Sequence, residues 1–253
     1  MSAIAANLQQ LHDRIADACA RAHRSPSDVA LMAVSKMHPA EAILEAHAAG
    51  QRLFGENRVQ EWQSKFTSVV DPSSFANLSS SSSAPFAFKA LPNPATDIEV
   101  HLIGPLQSNK TAKAAELFHA IDTIDSLKTA TRLNDAAHSL HKTLPILIEI
   151  KLSHEPTKHG LDPEKLPAFL AALAPLTNLQ PSGLMTVPPW SEDAETARPY
   201  FQHLRRLRDE NLAAHPALTQ LSVGMSNDFA VAIEEGSTTI RIGTAIFGKR
   251  TYT

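Results

Sequence analysis

Apolar residues recur along this chain in two alternating rhythms. Over residues 3–23, Ile4, Leu8, Leu11, Ile15 and Ala18 return every three or four positions with polar residues between them. That spacing predicts an amphipathic helix, which Ser25-Pro26 and Asp28 bring to an end. A short apolar run follows over about 29–35, of the length and composition of a buried strand. Pro39 then opens a predicted helix that runs to about Ala49 and is closed by Gly50.

The same strand-then-helix unit repeats to the end of the chain. Arg52-Leu53-Phe54-Gly55 is the second predicted strand, with a helix from Glu56 to about Lys65. The third strand covers 99–103 with a helix over 107–118, and the fourth covers 120–124 with a helix over 126–140. The fifth, over 145–152, carries Ile146, Leu147, Ile148 and Ile150 and is followed by a helix over 163–173. The sixth lies within 179–187 before a long helix over 191–213. The seventh covers 220–224 before a helix over 226–235, and the eighth covers 238–242 before a helical turn after Gly243. Eight such units in 253 residues predict a (β/α)8 barrel, the TIM barrel of the α/β class, with an extra N-terminal helix. A doubly wound open sheet has fewer strands as a rule, and no glycine fingerprint for a dinucleotide opens the first unit.

One stretch breaks the rhythm. Residues 67–97 hold Ser73, Ser74, the run Ser79 to Ser83, and Pro72, Pro85, Pro92 and Pro94. Such a composition cannot fill a core, and it is read as an irregular, mobile insertion within one domain spanning 1–253.

Composition narrows the function. The 23 basic and 26 acidic residues are spread along the chain and leave a formal net charge of −3, which gives no basic surface for nucleic acid. The 12 histidines show no metal-ligand spacing. Cys19 is the sole cysteine, so no internal disulfide forms and a reducing compartment fits. No apolar run has the length of a membrane span, and Asp13 and Asp17 argue against a signal peptide. The expectation is a soluble cytoplasmic protein without membrane or nucleic-acid partners, monomeric because no apolar surface stripe stands out.

In a barrel of this kind functional groups gather where strands end. The first strand ends in Lys36; alone, such a lysine reads first as a solvated strand end. Partly desolvated, its amine loses a proton more easily and can form a Schiff base with an aldehyde. Glu56, Asn57 and Arg58 follow the second strand, His101 and Gly104 mark the third, Lys151 and Ser153 the fifth, and Met185 and Thr186 the sixth. Gly224-Met225-Ser226-Asn227-Asp228 passes from the seventh strand into a helix, and Gly243-Thr244 does so after the eighth. Helix N-termini approached through glycine bind phosphate, although Ser226 and Thr244 are equally simple N-caps. Arg241 alternates with Ile240 and Ile242, which turns it into the barrel, where it meets either a ligand or a structural ion pair. A lysine at the mouth and a phosphate cradle, expected on the opposite wall, suggest a ligand with an aldehyde and a phosphate. Pyridoxal phosphate fits, and an arginine facing its pyridine nitrogen would disfavour protonation there.

These residues carry a family resemblance over nearly the whole chain outside 67–97. The matching pieces are Ala33-Val34-Ser35-Lys36, Phe54-Gly55-Glu56-Asn57, His101 through Lys110, Gly183-Leu184-Met185, Leu221 through Asp228, and Gly236-Ser237-Thr238 with Arg241 through Gly248. The sequence resembles the pyridoxal phosphate homeostasis proteins, the YggS/PROSC type. The resemblance implies a barrel like the N-terminal domain of alanine racemase, with Lys36 holding the cofactor as an internal aldimine. It implies that Ser226, Gly243 and Thr244, with backbone from Met225, hold the phosphate, that Arg241 faces the ring nitrogen, and that Asn57 lies beside the cofactor; Met185 lines the same mouth. It further implies a protein that buffers pyridoxal phosphate and delivers it to apo-enzymes. Two positions depart from the pattern: Val100 stands where many relatives carry Trp, and Lys151-Leu152-Ser153 where they carry Asn-Ile-Ser.

A pyridoxal-phosphate-dependent racemase is the alternative. Racemisation by two bases needs an acid/base on each face of the bound substrate. The chain offers Tyr200 and Tyr252 as tyrosines and His38 and His101 as substitutes, with no second domain after the barrel. A carrier is the expected function.

Overall fold

In the computed structural model the eight strands are all parallel and close into one ring in chain order, β8 returning to pair with β1. Residues 2–70, 97–153 and 159–248 are described. The strands are β1 (Ala30–Val34), β2 (Leu53–Glu56), β3 (Glu99–Leu102), β4 (Ala120–Ile124), β5 (Leu144–Glu149), β6 (Leu179–Met185), β7 (Gln220–Ser222) and β8 (Thr239–Ile242). The helices are α1 (Ala3–Arg21), α2 (Ala40–Ala48), α3 (Val59–Val70), α4 (Thr111–Leu117), α5 (Leu127–Ser139), α6 (Leu166–Leu173), α7 (Arg198–Leu212), α8 (Phe229–Glu234) and α9 (Thr244–Phe247).

Period-two alternation divides each strand between two environments. Leu31, Ala33, Phe54, Val100, Leu102, Ile121, Ile146, Ile148, Leu184, Leu221, Ile240 and Ile242 form one apolar core with the helices. The opposite parity fills the barrel interior. There a Cβ on Gly55 would lie 2.8 Å from Met32 Sδ and 2.8 Å from Ile103 Cδ1, so glycine is what lets those two side chains meet. Burying each large outer side chain contributes roughly 1.5–3 kcal/mol, and this outer layer, not the interior, is the main core.

The extra helix has a clear place. α9 is a single turn, which leaves the helical ring thin where β8 meets β1. α1 packs there against α2, α8 and α9, burying Leu8, Leu11, Ile15, Ala18 and Cys19. Asn7 Nδ2 donates to the Ile246 carbonyl (2.9 Å) and Arg24 Nη1 to that of Ile233 (2.7 Å), tying α1 to the last two helices.

Several boundaries differ from expectation. Glu56, expected to open a helix, ends β2 and is buried. α3 continues to Val70, so residues 67–70 are helix and not insertion, and Asp97 pairs with His47 and Arg52; residues 71–96 lie outside those described. The long helix expected over 191–213 begins at Arg198, after a 3-10 turn over Ala194–Ala197, because Pro199 has no N–H to give and is accommodated only in a first turn.

Candidate functional site

Parallel strands put every β-to-α loop at one end of the barrel, and closure makes neighbours of the first and last units. Ala33 is level with Ile242, and a Cβ on Gly243 would lie 3.2 Å from the Val34 carbonyl oxygen. β7 pairs with the other side of β8. The lysine and both glycine turns are therefore on three consecutive strands. The expectation of a cradle on the opposite wall is corrected: eight units in a ring bring unit eight beside unit one.

Lys36 lies in the turn after β1, separated from the strand by Ser35, and is half-buried. Ser35 N still donates to the Gly55 carbonyl (3.1 Å), so Ser35 shares the outward parity of Leu31 and Ala33. Met37 follows in the left-handed region with φ 63°. His38 N donates to the Ser35 carbonyl (3.1 Å), and the His38 ring packs on Phe247 of α9 with centroids 5.0 Å apart. The lysine turn thus rests against the helix that follows β8.

The turn after β7 is closed by Asp228. Asp228 Oδ1 accepts the Met225 N–H (2.6 Å), and the Met225 carbonyl accepts from Asp228 N (3.2 Å) and Phe229 N (2.9 Å). Burial raises the Asp228 pKa, opposed by that N–H and by Arg241. The Met225 N–H, which the family resemblance assigns to phosphate, so has an acceptor within the turn. The N–H groups of Ser226 and Asn227 have none among the described residues. Gly224 is required here: its φ is +98°, and a Cβ would lie 2.6 Å from that of Ala232 and 3.1 Å from Phe229 Cα. After β8 the pattern recurs. The Gly243 carbonyl accepts from Ile246 N (2.9 Å) and Phe247 N (3.0 Å), which leaves the N–H groups of Thr244 and Ala245 without acceptors among the described residues. Two adjacent turns thus present four unpaired donors and the Ser226 and Thr244 hydroxyls, an anion-binding arrangement. Asn227 Nδ2 ties the first turn to the Ser191 carbonyl (2.9 Å) and the Glu192 carbonyl (3.2 Å) of the loop after β6.

Beneath these turns the barrel interior is polar. Arg241 is 6 % exposed, and its Nη1 donates to the Ser222 carbonyl (2.5 Å) and Oγ (2.7 Å) while Nη2 donates to the Thr186 carbonyl (2.9 Å). Among the described residues, carbonyls and a hydroxyl, not a direct ion pair, hold the guanidinium. Burial draws its pKa down, opposed by the charges of Asp122, Glu149 and Asp228. Arg241 N also donates to the Gly224 carbonyl (2.9 Å), which couples β8 to the turn that Asp228 closes. Across the interior, His101 Nδ1 lies 3.1 Å from Asp122 Oδ1 and its Nε2 lies 3.0 Å from Glu99 Oε1. Burial alone would depress the His101 pKa, but the two carboxylates outweigh it and push it up to about 10. His101 is therefore a structural imidazolium at neutral pH.

Among the other sequence candidates, Met185 is buried and inward, and its carbonyl accepts from Ile150 N (2.8 Å). Asn57 is half-buried at the end of β2, and a Cβ on Gly104 would lie 2.2 Å from its carbonyl oxygen, so glycine lets the loop after β3 close over it. Lys151 is half-buried after β5, its N–H donating to the Leu161 carbonyl (2.9 Å). Val100 packs outward under the helices, so that departure falls in the core and away from the mouth. Tyr200 lies on α7, and Tyr252 lies outside the described residues. Sequence reasoning missed Asp228 as the acceptor that closes its turn, Ser222 as the arginine's anchor, and Glu61 and Lys65 altogether. A carboxylate three residues after Met225 is a local spacing, whereas the contacts of Lys65 are long-range and leave no local signal.

Comparison with known proteins fits this geometry. Residues 2–251 match the family model described as alanine racemase, N-terminal domain. A pyridoxal phosphate homeostasis protein of Escherichia coli K12 is 43 % identical over 256 residues, covering 100 % of this chain and 99 % of the relative. Its counterpart in Aquifex aeolicus is 37 % identical, with 97 % of each chain covered. The chain belongs to the pyridoxal phosphate homeostasis protein family. PipY of Synechococcus elongatus, a structure solved with PLP bound, is 38 % identical and superposes with a TM-score of 0.76 over 97 % of this chain and 100 % of that one. Alanine racemase of Clostridium difficile, 15 % identical with a TM-score of 0.67 over 88 % of this chain and 55 % of the racemase, shares the fold alone.

Proposed function

We propose that this chain binds pyridoxal phosphate at the barrel mouth, attaches it through Lys36, and keeps and hands over the cofactor for intracellular homeostasis. The carrying observation is the arrangement of Lys36, the Ser226–Asn227 turn and the Thr244–Ala245 turn on three consecutive strands. The residues fit the group. Four N–H donors and two hydroxyls suit a phosphate dianion, Gly224 and Gly243 let the two turns close against Ala232 and Val34, and the arginine is anchored by Ser222 and Thr186. When bound, the cofactor supplies an aldehyde open to amines and an electron-withdrawing ring. Arg241 disfavours a proton on the ring nitrogen, since both would be cations, and so weakens the ring as an electron sink. Family membership and the PLP-bound PipY structure support the same reading.

A carrier is favoured over a racemase by the state of the available bases. His38 is packed on Phe247, and His101 is held between two carboxylates that keep its proton. The reading takes 1–253 as one functional domain, monomeric and cytoplasmic, with apo-enzymes as recipients. A single buried cysteine supports the reducing compartment, and among the described residues no helix is long and apolar enough to cross a membrane. The test is uptake. Purified protein mixed with pyridoxal phosphate is expected to gain a visible absorption band, and borohydride reduction followed by peptide mapping to place the label on Lys36. A protein that takes up none of the added cofactor contradicts the proposal. Incubation with L- or D-alanine in deuterated water separates the alternatives, rapid α-deuteration or inversion marking an enzyme.

A further inference from the structure

Behind Lys36, between the barrel wall and α3, lies a buried polar cluster that cofactor binding as proposed does not use. Glu56 at the end of β2 is fully buried, and its Oε1 accepts from Ser35 Oγ (2.7 Å) and Lys65 Nζ (2.9 Å). Lys65, on α3, also donates to the Ser35 carbonyl (3.1 Å) and to Glu61 Oε1 (2.7 Å). The same Glu61 oxygen accepts the N–H of Met37. Both peptide neighbours of Lys36 are thereby fastened to α3, Ser35 through Lys65 and Glu56, Met37 through Glu61. Met37 is also 52 % exposed, so no packing of its side chain explains its left-handed backbone. A non-glycine residue keeps that conformation only where its surroundings over-determine it. A buried ion pair adds little net stability against apolar packing of the same volume, so its value here lies in geometry.

We infer that Glu61, acting with Lys65, is a positioning residue for Lys36: it holds the Ser35–Met37 segment in the one turn that aims the lysine amine into the barrel mouth. The inference rests on the proposal that Lys36 attaches the cofactor. Ser35 is pulled outward by the cluster, and Lys36 opens the turn that the His38 N–H closes on the Ser35 carbonyl (3.1 Å). The Met37 N–H, bound by Glu61, then turns the chain away before it can continue as strand.

The experiment measures the fraction of protein trapped on Lys36 by borohydride against pyridoxal phosphate concentration, with peptide mapping and a thermal melt for each variant. In Glu61→Leu the concentration for half-trapping is expected to rise roughly tenfold, the cost of an unsupported left-handed residue. Glu61→Gln retains an oxygen for the Met37 N–H and is expected to stay within about twofold of wild type. Adding Met37→Gly to Glu61→Leu is expected to recover most of the loss, because glycine takes positive φ without penalty. Met37→Val probes the same turn from the exposed side, where folding is not threatened, and is expected to raise half-trapping in the same direction. Wild-type concentrations in Glu61→Leu or Met37→Val, or a Glu61→Leu defect that Met37→Gly leaves in full, would overturn the inference. Wild-type protein that is not trapped at Lys36 overturns the attachment reading itself, which keeps the two failures apart.

Discussion

Single residues decide most of the chemistry here, and two of them make predictions that a denaturation curve reads directly. His101 has a folded pKa raised to about 10 from an ordinary value of 6.5, after its two carboxylates outweigh burial. A raised pKa contributes stability that is fully present below about 6.5 and disappears as pH rises through about 10. The unfolding free energy of the wild type, read from urea titrations, is therefore expected to fall between pH 6.5 and 10, by an amount of order a few kcal/mol. His101→Asn is expected to be less stable at pH 6.5 and to lack that component of the fall; parallel wild-type and variant curves would refute the assignment. At the mouth, Gly224→Ala forces a Cβ to within 2.6 Å of Ala232 Cβ at a φ of +98°. It is expected to lose about 1–3 kcal/mol of stability and to weaken uptake of pyridoxal phosphate, both readable from a denaturation curve and a titration of the visible band. At this scale the sequence is informative where alternation applies. The inward side of Arg241 and the two glycine turns are legible from spacing, whereas the use of the Met225 N–H by Asp228 depends on which carboxylate oxygen reaches which turn.

Elements were easier to find than to bound. All eight strands and the helices between them follow from periodicity, because each helix buries one stripe on a strand layer that is apolar on its outer face. The ends moved where polar residues belong to the structure itself. Glu56 is charged and so reads as the start of a helix, yet it completes β2 because Ser35 and Lys65 supply its hydrogen bonds in the interior. Glu61 and Lys65 are four apart on α3, and only the approach of β1 and β2 makes their pair part of a buried cluster. α3 itself is anchored by Trp62, 1 % exposed, whose Nε1 donates to the Leu117 carbonyl (2.9 Å) and whose ring meets Phe66 and Phe118. Trp62→Ala is expected to cost about 3–5 kcal/mol in a urea titration. Because α3 carries Glu61 and Lys65, the same variant is expected to weaken attachment at Lys36 at temperatures where it remains folded.

The whole molecule adds what no single unit contains. Read along the chain, Lys36 and Gly243-Thr244 are as far apart as two motifs can be, which is why the phosphate cradle was expected across the mouth. Closure of the ring pairs β1 with β8 from Ala30–Thr239 to Ala33–Ile242 and brings the lysine and both glycine turns onto one arc. α1 covers that seam from outside, Asn7 on the helix and Arg24 just past its end bonding to carbonyls of α9 and α8. The fold class was legible because the count of units requires a barrel, and the site's residues were legible because they end strands. The distances between them depend on closure, which local pattern does not encode. The most direct measurement is borohydride reduction of the wild type and of Lys36→Ala after incubation with pyridoxal phosphate, followed by peptide mapping. The expected result is a visible band and a labelled Lys36 peptide in the wild type, with both lost in Lys36→Ala. A wild type that takes up no cofactor, or a label that persists on another lysine with the band intact in Lys36→Ala, would contradict it.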